Sequence, residues 1–303
     1  MRTTLLYFTQ IDEMIFYSIL LSFLYPFSYI QDSSYSYFQI DTLVSESSVF
    51  SLDYEGNTYI LDKENHKLFK FNSQNQFQKE IGGIGWGQLN FDTPVAVDAS
   101  YGLNIFVSDY YNNRIQRFNR NLEFISSLSG ESFQSTNIHF GRPSFLAVDR
   151  FSNLYFYDSE NKNIMKITFD GLQIKDVRII GDYRLVPHPI QIAITNDDKL
   201  YVLESNKISV YDSWGTFLHS LQLEPPQSVR AFCLSEKEIY IVIGDEMIII
   251  NHMGEQLNKI NIAEYFQLLS SNRIADVKIF QNRLHLLTNK MILVCPTNLF
   301  LSK

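Results

Sequence analysis

Asn104-Ile105-Phe106-Val107-Ser108-Asp109 is a short alternating strand opened by a tight polar turn and closed by an acid. The same frame occurs in Gly56-Asn57-Thr58-Tyr59-Ile60-Leu61-Asp62 and in Asn153-Leu154-Tyr155-Phe156-Tyr157-Asp158. With the closing residue as register mark, Asp62, Asp109, Asp158 and Glu204 are followed by two copies that keep the place without the acid, Ile243 and Thr288. The marks lie 47, 49, 46, 39 and 45 residues apart. A fixed period in this range signals a repeat architecture, in which each unit buries its apolar face only by stacking on the next.

Working outward from the mark, five residues upstream stands a turn position: Asn57, Asn104, Asn153, Lys199, Glu238 and Arg283. Asparagine and glycine tolerate the left-handed backbone that a tight hairpin needs, which explains the first three. Three residues upstream comes one ring per copy: Tyr59, Phe106, Tyr155, Tyr201, Tyr240 and His285. A ring on the same strand face in every copy predicts a core column, with His285 as a substitute for an aromatic rather than a ligand. Downstream, Leu68, Ile115 and Ile164 stand six after the mark, and Phe71, Phe118 and Ile167 nine after it. In the last three copies the spacing shortens by two, giving Ile208/Tyr211, Met247/Ile250 and Ile292/Cys295. Pro94, Pro143 and Pro189 each stand fifteen residues before a mark, where a chain enters a first strand and a missing N–H does no harm.

Each interval holds four short strands, as in 95–99, 104–108, 114–118 and 123–128, and four strands per repeat of this length is the unit of a β-propeller blade. The expected fold is therefore all-β, a six-bladed β-propeller of four-stranded blades. The sixth copy supplies three strands, 275–279, 283–287 and 290–295, before the chain ends. Residues 35–44 precede the first blade and alternate like a strand. They are predicted to complete the last blade from outside, which removes an open edge and makes residues 31–303 a single domain.

Phe91-Asp92-Thr93-Pro94 leading to Val107-Ser108-Asp109, and then Asn112-Asn113-Arg114-Ile115-Gln116-Arg117-Phe118, resembles the NHL-repeat six-bladed β-propeller family. The glycine-rich approach Gly82-Gly83-Ile84-Gly85-Trp86-Gly87-Gln88-Leu89-Asn90 and the copy from Phe140-Gly141-Arg142-Pro143 to Asn161-Lys162-Asn163-Ile164 fit the same pattern. The resemblance is specific over residues 48–168 and only periodic over 187–295. It implies a scaffold that displays loops, and it brings two enzyme types into view. One is a secreted lyase acting on peptidyl-hydroxyglycine with a histidine-bound metal, and the other a calcium-dependent lactonase.

Composition narrows the partners. The net charge is −8 and no Lys/Arg block occurs, so the basic stripe of a nucleic-acid binder is missing. Cys233 and Cys295 form no metal motif or disulfide framework and read as two buried thiols. Residues 14–30 are an uncharged apolar run followed by Gln31-Asp32-Ser33-Ser34, with Met1 and Met14 both available as starts. The run reads as a secretory signal or an uncleaved membrane anchor within residues 1–30, and the chain as exported, periplasmic, extracellular or envelope-associated. Membrane contact is expected only through that run, and the propeller is expected to be a monomer.

Histidines and acids are the residues that could carry chemistry. Only His139 and His188 fall in blade-joining loops, and no third histidine joins them; His66 reads as a solvated hairpin residue. Asp98, Asp149 and Asp276 lie on or near inner strands, but acids at strand ends commonly cap turns, and Asp53 fits the same description. Asp62, Asp109 and Asp158 recur in every good copy, which suits turn capping better than a single active site. No Gly-x-Ser-x-Gly elbow or phosphate-cradling loop occurs. No catalytic residue, metal ligand or cofactor is assigned. The expected function is a non-catalytic scaffold for a protein, peptide or cell-surface polymer, with a metal-dependent lyase-like or lactonase-like enzyme as the alternative. The candidate contacts are Trp86, Arg142, Tyr183, Arg184, His188 and Arg273 in the blade-joining loops, since Trp, Tyr and Arg anchor interfaces. For Trp86, Phe91 and Phe140, packing at the blade junctions is the competing assignment, and Tyr265 is a further loop aromatic.

Overall fold

The structure is a computed structural model, and it describes residues 35–40, 44–101, 103–133, 139–180, 189–223, 229–266 and 273–301. The apolar run 14–30 and the loop residues Tyr183, Arg184 and His188 lie outside the described residues.

Six four-stranded antiparallel sheets form a ring of blades. After β1 (Ser36–Gln39), blade 1 holds β2 (Val49–Leu52), β3 (Thr58–Asp62), β4 (Lys67–Phe71) and β5 (Phe77–Gly82). Blade 2 holds β6 (Pro94–Asp98), β7 (Asn104–Asp109), β8 (Arg114–Asn119) and β9 (Phe124–Ser129). Blade 3 holds β10 (Pro143–Val148), β11 (Leu154–Asp158), β12 (Asn163–Asp170) and β13 (Gln173–Ile180). Blade 4 holds β14 (Gln191–Ile194), β15 (Leu200–Leu203), β16 (Lys207–Tyr211) and β17 (Phe217–Gln222). Blade 5 holds β18 (Val229–Leu234), β19 (Glu238–Ile243), β20 (Glu246–Asn251) and β21 (Gln256–Asn261). Blade 6 holds β22 (Asp276–Phe280), β23 (Arg283–Leu287) and β24 (Met291–Pro296), and its fourth strand is β1. β1 runs antiparallel to β24 with Ser36 opposite Val294 and Gln39 opposite Met291, so the ring closes as the repeat register predicts.

The second strand of each blade is covered by neighbouring blades on both faces, which is why β3, β7, β11, β15 and β19 read as nearly continuous apolar runs. The outermost strands β5, β17 and β21 are mostly exposed and polar. Each junction between blades has its own apolar cluster. Phe91, Val97, Ile105 and Phe118 meet Tyr59 and Leu61 between blades 1 and 2. Phe38, Phe50, Phe71 and Ile292 fill the junction between blades 6 and 1, and Tyr37, Tyr240, Phe266 and Leu293 that between blades 5 and 6. The rings Tyr59, Phe106, Tyr155, Tyr201 and Tyr240 are buried as a core column, and His285 is half-buried at the same register. Cys233 and Cys295 are buried free thiols.

Inner strands β2, β6, β10, β14, β18 and β22 surround a central channel and present an unpaired edge to it. Backbone N–H groups there need acceptors, and side chains of the preceding blade supply them. Phe50 N donates to Asp276 Oδ2 (3.1 Å), Ala99 N to Ser51 Oγ (2.9 Å), Val148 N to Asp98 Oδ2 (3.2 Å) and Phe232 N to Gln191 Oε1 (2.9 Å). These bonds clasp blade to blade around the channel.

The turn chemistry corrects one expectation. Asn57 and Asn153 are not the left-handed residues; Gly56 (φ 83°) and Ser152 (φ 64°), one position earlier, are. Each asparagine instead donates its side-chain amide to the acid that starts the turn. Asn57 Nδ2 lies 2.8 Å from Asp53 Oδ2, and Asn153 Nδ2 lies 2.7 Å from Asp149 Oδ2. Asn104 serves elsewhere, its Oδ1 accepting from Arg117 Nε at 3.0 Å. Side-chain hydrogen bonding, not backbone freedom, accounts for asparagine at this place.

Candidate functional site

The register acids are structural, and they do more than cap the turn that follows. Asp62, Asp109 and Asp158 are buried, and each accepts a backbone N–H from a residue seventeen positions earlier: Ser45, Asp92 and Gly141. The separation is constant because the acid sits at the end of a second strand, beside the loop that brings the chain into its blade. Asp62 and Asp158 also receive N–H groups of the next turn, from Glu64 and Asn65 and from Glu160 and Asn161. Thr288, where the acid is lost, still caps its turn, its Oγ1 accepting from Lys290 N (3.1 Å) and Met291 N (3.0 Å).

In all three copies the asparagine three residues on donates its amide to the acid, Asn65 to Asp62 at 2.8 Å, Asn112 to Asp109 at 2.9 Å and Asn161 to Asp158 at 2.6 Å. Asp109 departs by adding Arg114, whose Nε lies 2.7 Å from its Oδ2, and that addition builds a surface. The Arg114 guanidinium then reaches the loop joining blades 1 and 2. Nη1 donates to the Trp86 carbonyl (2.9 Å), and Nη2 donates to those of Gly87 (2.9 Å) and Asn90 (3.0 Å). Asn112 Nδ2 takes the Gly85 carbonyl at 2.9 Å, and Gln116 Nε2 takes that of Asn90 at 2.6 Å. The loop enters this cage through Gly82 (φ 128°), where a Cβ would stand 2.2 Å from the His66 carbonyl, so no other residue fits. Phe91 closes the loop by inserting into the junction, edge-on to Phe118.

The carbonyls of Gly85, Trp86, Gly87 and Asn90 are thus anchored, while the Ile84 and Trp86 side chains point outward. Ile84 is 74% exposed and Trp86 72%. Beside them, in the turn between β7 and β8, Tyr111 is exposed and packs edge-on to Tyr110. The Tyr111 N–H is held by the Asp92 carbonyl at 3.1 Å. The exposed Arg142 guanidinium lies 5.8 Å from the centres of both tyrosine rings, a cation–π arrangement. Blade 2 therefore collects Trp86 and Arg142 on the face of the blade-joining loops. Arg273 is exposed on the loop joining blades 5 and 6, across the ring, and is not part of this group.

Of the aromatics with a competing packing assignment, Phe91 and Phe140 are buried at junctions, and Trp86 is not. Tyr265 stacks edge-on against Phe266 and Phe300, sealing the last junction. Ile84, Leu89, Tyr110 and Tyr111 were not among the candidates. The signal for the tyrosines lies in the two residues after the mark, which are Lys63-Glu64 and Ser159-Glu160 in the sister copies and Tyr110-Tyr111 here.

His66 is not a free solvated histidine, because its Nδ1 accepts the Thr93 N–H at 3.0 Å and ties blade 1 to the same loop. His252 is likewise pinned, to Tyr201 Oη (2.8 Å) and the Ser235 carbonyl (3.1 Å). The channel acids are committed as well. Asp276 accepts from Phe50 N, Val277 N and Lys278 Nζ, and Asp149 from Phe151 N, Asn153 N, Asn153 Nδ2 and Tyr155 Oη. Among the described residues no group of three or more His, Cys, Asp or Glu side chains is placed to hold a metal ion.

No protein-family model matches the chain, and no curated protein matches it. Solved structures do. A gluconolactonase from Xanthomonas campestris superposes with a TM-score of 0.62 at 12% identity, over 86% of this chain and 90% of that one. A catalytically inactive variant of virginiamycin B lyase from Staphylococcus aureus, with quinupristin, gives 0.61 at 14% identity over 89% and 93%. The WD40 repeats of RRP9 give 0.57 at 10% identity over 82% and 78%. At these identities the likeness is one of fold, a propeller shared with two enzymes and a set of WD40 repeats.

Proposed function

We propose that the chain is an exported NHL-type propeller whose blade-joining loops bind a protein, peptide or cell-surface polymer without catalysing a reaction. The observation that carries this reading is the anchored loop 83–91, which holds Ile84 and Trp86 in solvent beside Tyr111 and Arg142. Ordering a loop on binding costs affinity, and a loop already ordered by five carbonyl contacts avoids that cost. Trp, Tyr and Arg are also the side chains that dominate interface energies.

Selection of a displayed peptide library, with a glycan array as the second arm, on the full chain tests the binding. Enriched ligands should lose about tenfold or more in affinity to Trp86→Ala and to Arg142→Ala, as interface anchors do. Ligands that bind these variants as tightly as the parent would remove the loop surface from the reading. Export rests on the apolar run 14–30. N-terminal sequencing of material recovered outside the cytoplasm should show a terminus after that run or a membrane-anchored chain, and a chain confined to the cytosol overturns it.

A further inference from the structure

The central channel opens on the face opposite the loop surface. Its cavity of about 1110 Å³ is lined by the second halves of the inner strands and the hairpins that follow them. The blade-joining loops enter at the other ends of those strands. The repeat register shows how the wall is built. The inner-strand residues paired with the six ring positions are Ser51, Asp98, Ala147, Ala193, Cys233 and Lys278. Blades 3, 4 and 5 thus contribute two alanines and a thiol, while blades 6, 1 and 2 contribute an ammonium, a hydroxyl and a carboxylate. One side of the channel is small and apolar, and the other is polar and charged.

The charges on that lining do not balance locally. Arg150 pairs with Asp198 (3.2 Å), Lys199 with Asp197 (2.7 Å) and Lys278 with Asp276 (3.1 Å). Two carboxylates of the cavity, Asp98 and Glu236, have no basic group within salt-bridge distance among the described residues. Asp98 is fixed, its oxygens accepting from the Ser100 N–H (2.8 Å), the Ser100 hydroxyl and the Val148 N–H. Burial pushes its carboxyl above the ordinary carboxylate range, opposed by the Ser100 hydrogen bonds and by the more distant Lys278 charge. Tyr101 and Phe280 border the same cavity.

We propose that this cavity binds an alkyl chain bearing a primary ammonium group, seated with the ammonium on Asp98 and Ser51 and the hydrocarbon against Ala147, Ala193 and Cys233. A primary ammonium brings one positive charge and three donors, which suits a carboxylate and a hydroxyl on adjacent blades. A hard divalent cation needs several convergent oxygens, and Asp98 alone does not provide them. The volume suits a small ligand, for pockets of this kind run to roughly 1,000 Å³. The group is carried equally by a free amine and by a lysine side chain. The site is independent of the loop surface on the other face.

Isothermal titration of the full chain with hexylamine, with Nα-acetyl-lysine methylamide and with hexanol tests this. At least one of the two ammonium ligands should bind and hexanol should not; the tighter of the two identifies the source of the group. Asp98→Asn should weaken binding about tenfold or more, the value of a hydrogen bond to a charged group. Should that variant fail to fold, the exposed Glu236→Lys at the mouth keeps the blades intact and should weaken binding several-fold. No binding of either ammonium ligand, equal binding of hexanol, or equal affinity in a folded Asp98→Asn or in Glu236→Lys overturns the assignment.

Discussion

Individual side chains in this ring are coupled to their neighbours through buried charge. Asp109 is buried, and Arg114 is the cation that balances it while holding the loop 83–91 by three carbonyls. Breaking a buried pair by removing one partner leaves an uncompensated charge and typically costs about 3–5 kcal/mol. Arg114→Ala should therefore lower the urea midpoint strongly and open the peptide bond after Trp86 to chymotrypsin. An intact loop in a limited-proteolysis time course would show that the cage is not what orders it. His285 makes a different prediction. Its pKa is depressed from 6.5 to about 4 by burial, with the Arg283 charge adding to the effect. Between those values the unfolded chain carries a proton that the folded chain excludes. Stability is then full above about pH 6.5 and falls as pH drops toward 4. A shift of this size is worth about 3 kcal/mol for a fully buried group, and roughly 2 kcal/mol for a half-buried one. His285→Phe restores the aromatic of the sister copies, so urea midpoints measured from pH 4 to 7 should lose most of that slope. An unaltered slope assigns the titration to another group.

At the scale of strands and turns, the fold was legible wherever a residue repeats for a reason that repeats. The ring column, the apolar positions six and nine after the mark, and the closing strand all follow from a blade needing the same burial each time. Turn detail was less legible, because one chemical need has several solutions. Asp53 and Asp149 collect two N–H groups and an asparagine amide, Ser235 does the same work with a hydroxyl, and the hairpin after β22 uses two left-handed residues, Gln281 and Asn282. The candidate surface was half legible. Trp86 and Arg142 stand out by residue type, but nothing local says that Arg114 turns the glycine-rich loop outward rather than into the junction. That depends on the arginine five residues after Asp109, where the sister copies carry Lys67 and Asn163 and neither binds the register acid by a guanidinium. The channel was legible only as an inner-strand acid, Asp98, since Ser51 becomes its neighbour only when blades 1 and 2 pack together.

The whole molecule behaves as a circle of nearest neighbours. Each blade junction carries its own apolar cluster, so stability is expected to be a sum of local terms that closure makes mutually dependent. β1 is the element that imposes closure. Its successive residues serve different junctions, Tyr37 the one between blades 5 and 6 and Phe38 the one between blades 6 and 1, where it meets Phe71 at 6.1 Å. Closure also brings Asp276 to the Phe50 N–H, a clasp spanning 226 residues of sequence. Deleting residues 35–44 would strip both clusters of a large ring and leave β24 as an open edge. Blades 5, 6 and 1 should then unfold at lower urea than blades 2 to 4, whose junctions are untouched. Far-ultraviolet and near-ultraviolet circular dichroism, coincident in the full chain, should give separate transitions in the truncated one, with a smaller urea dependence for each. A single coincident transition at the original midpoint would mean that the ring holds without its closing strand, and that cooperativity resides in the inner-strand clasps alone.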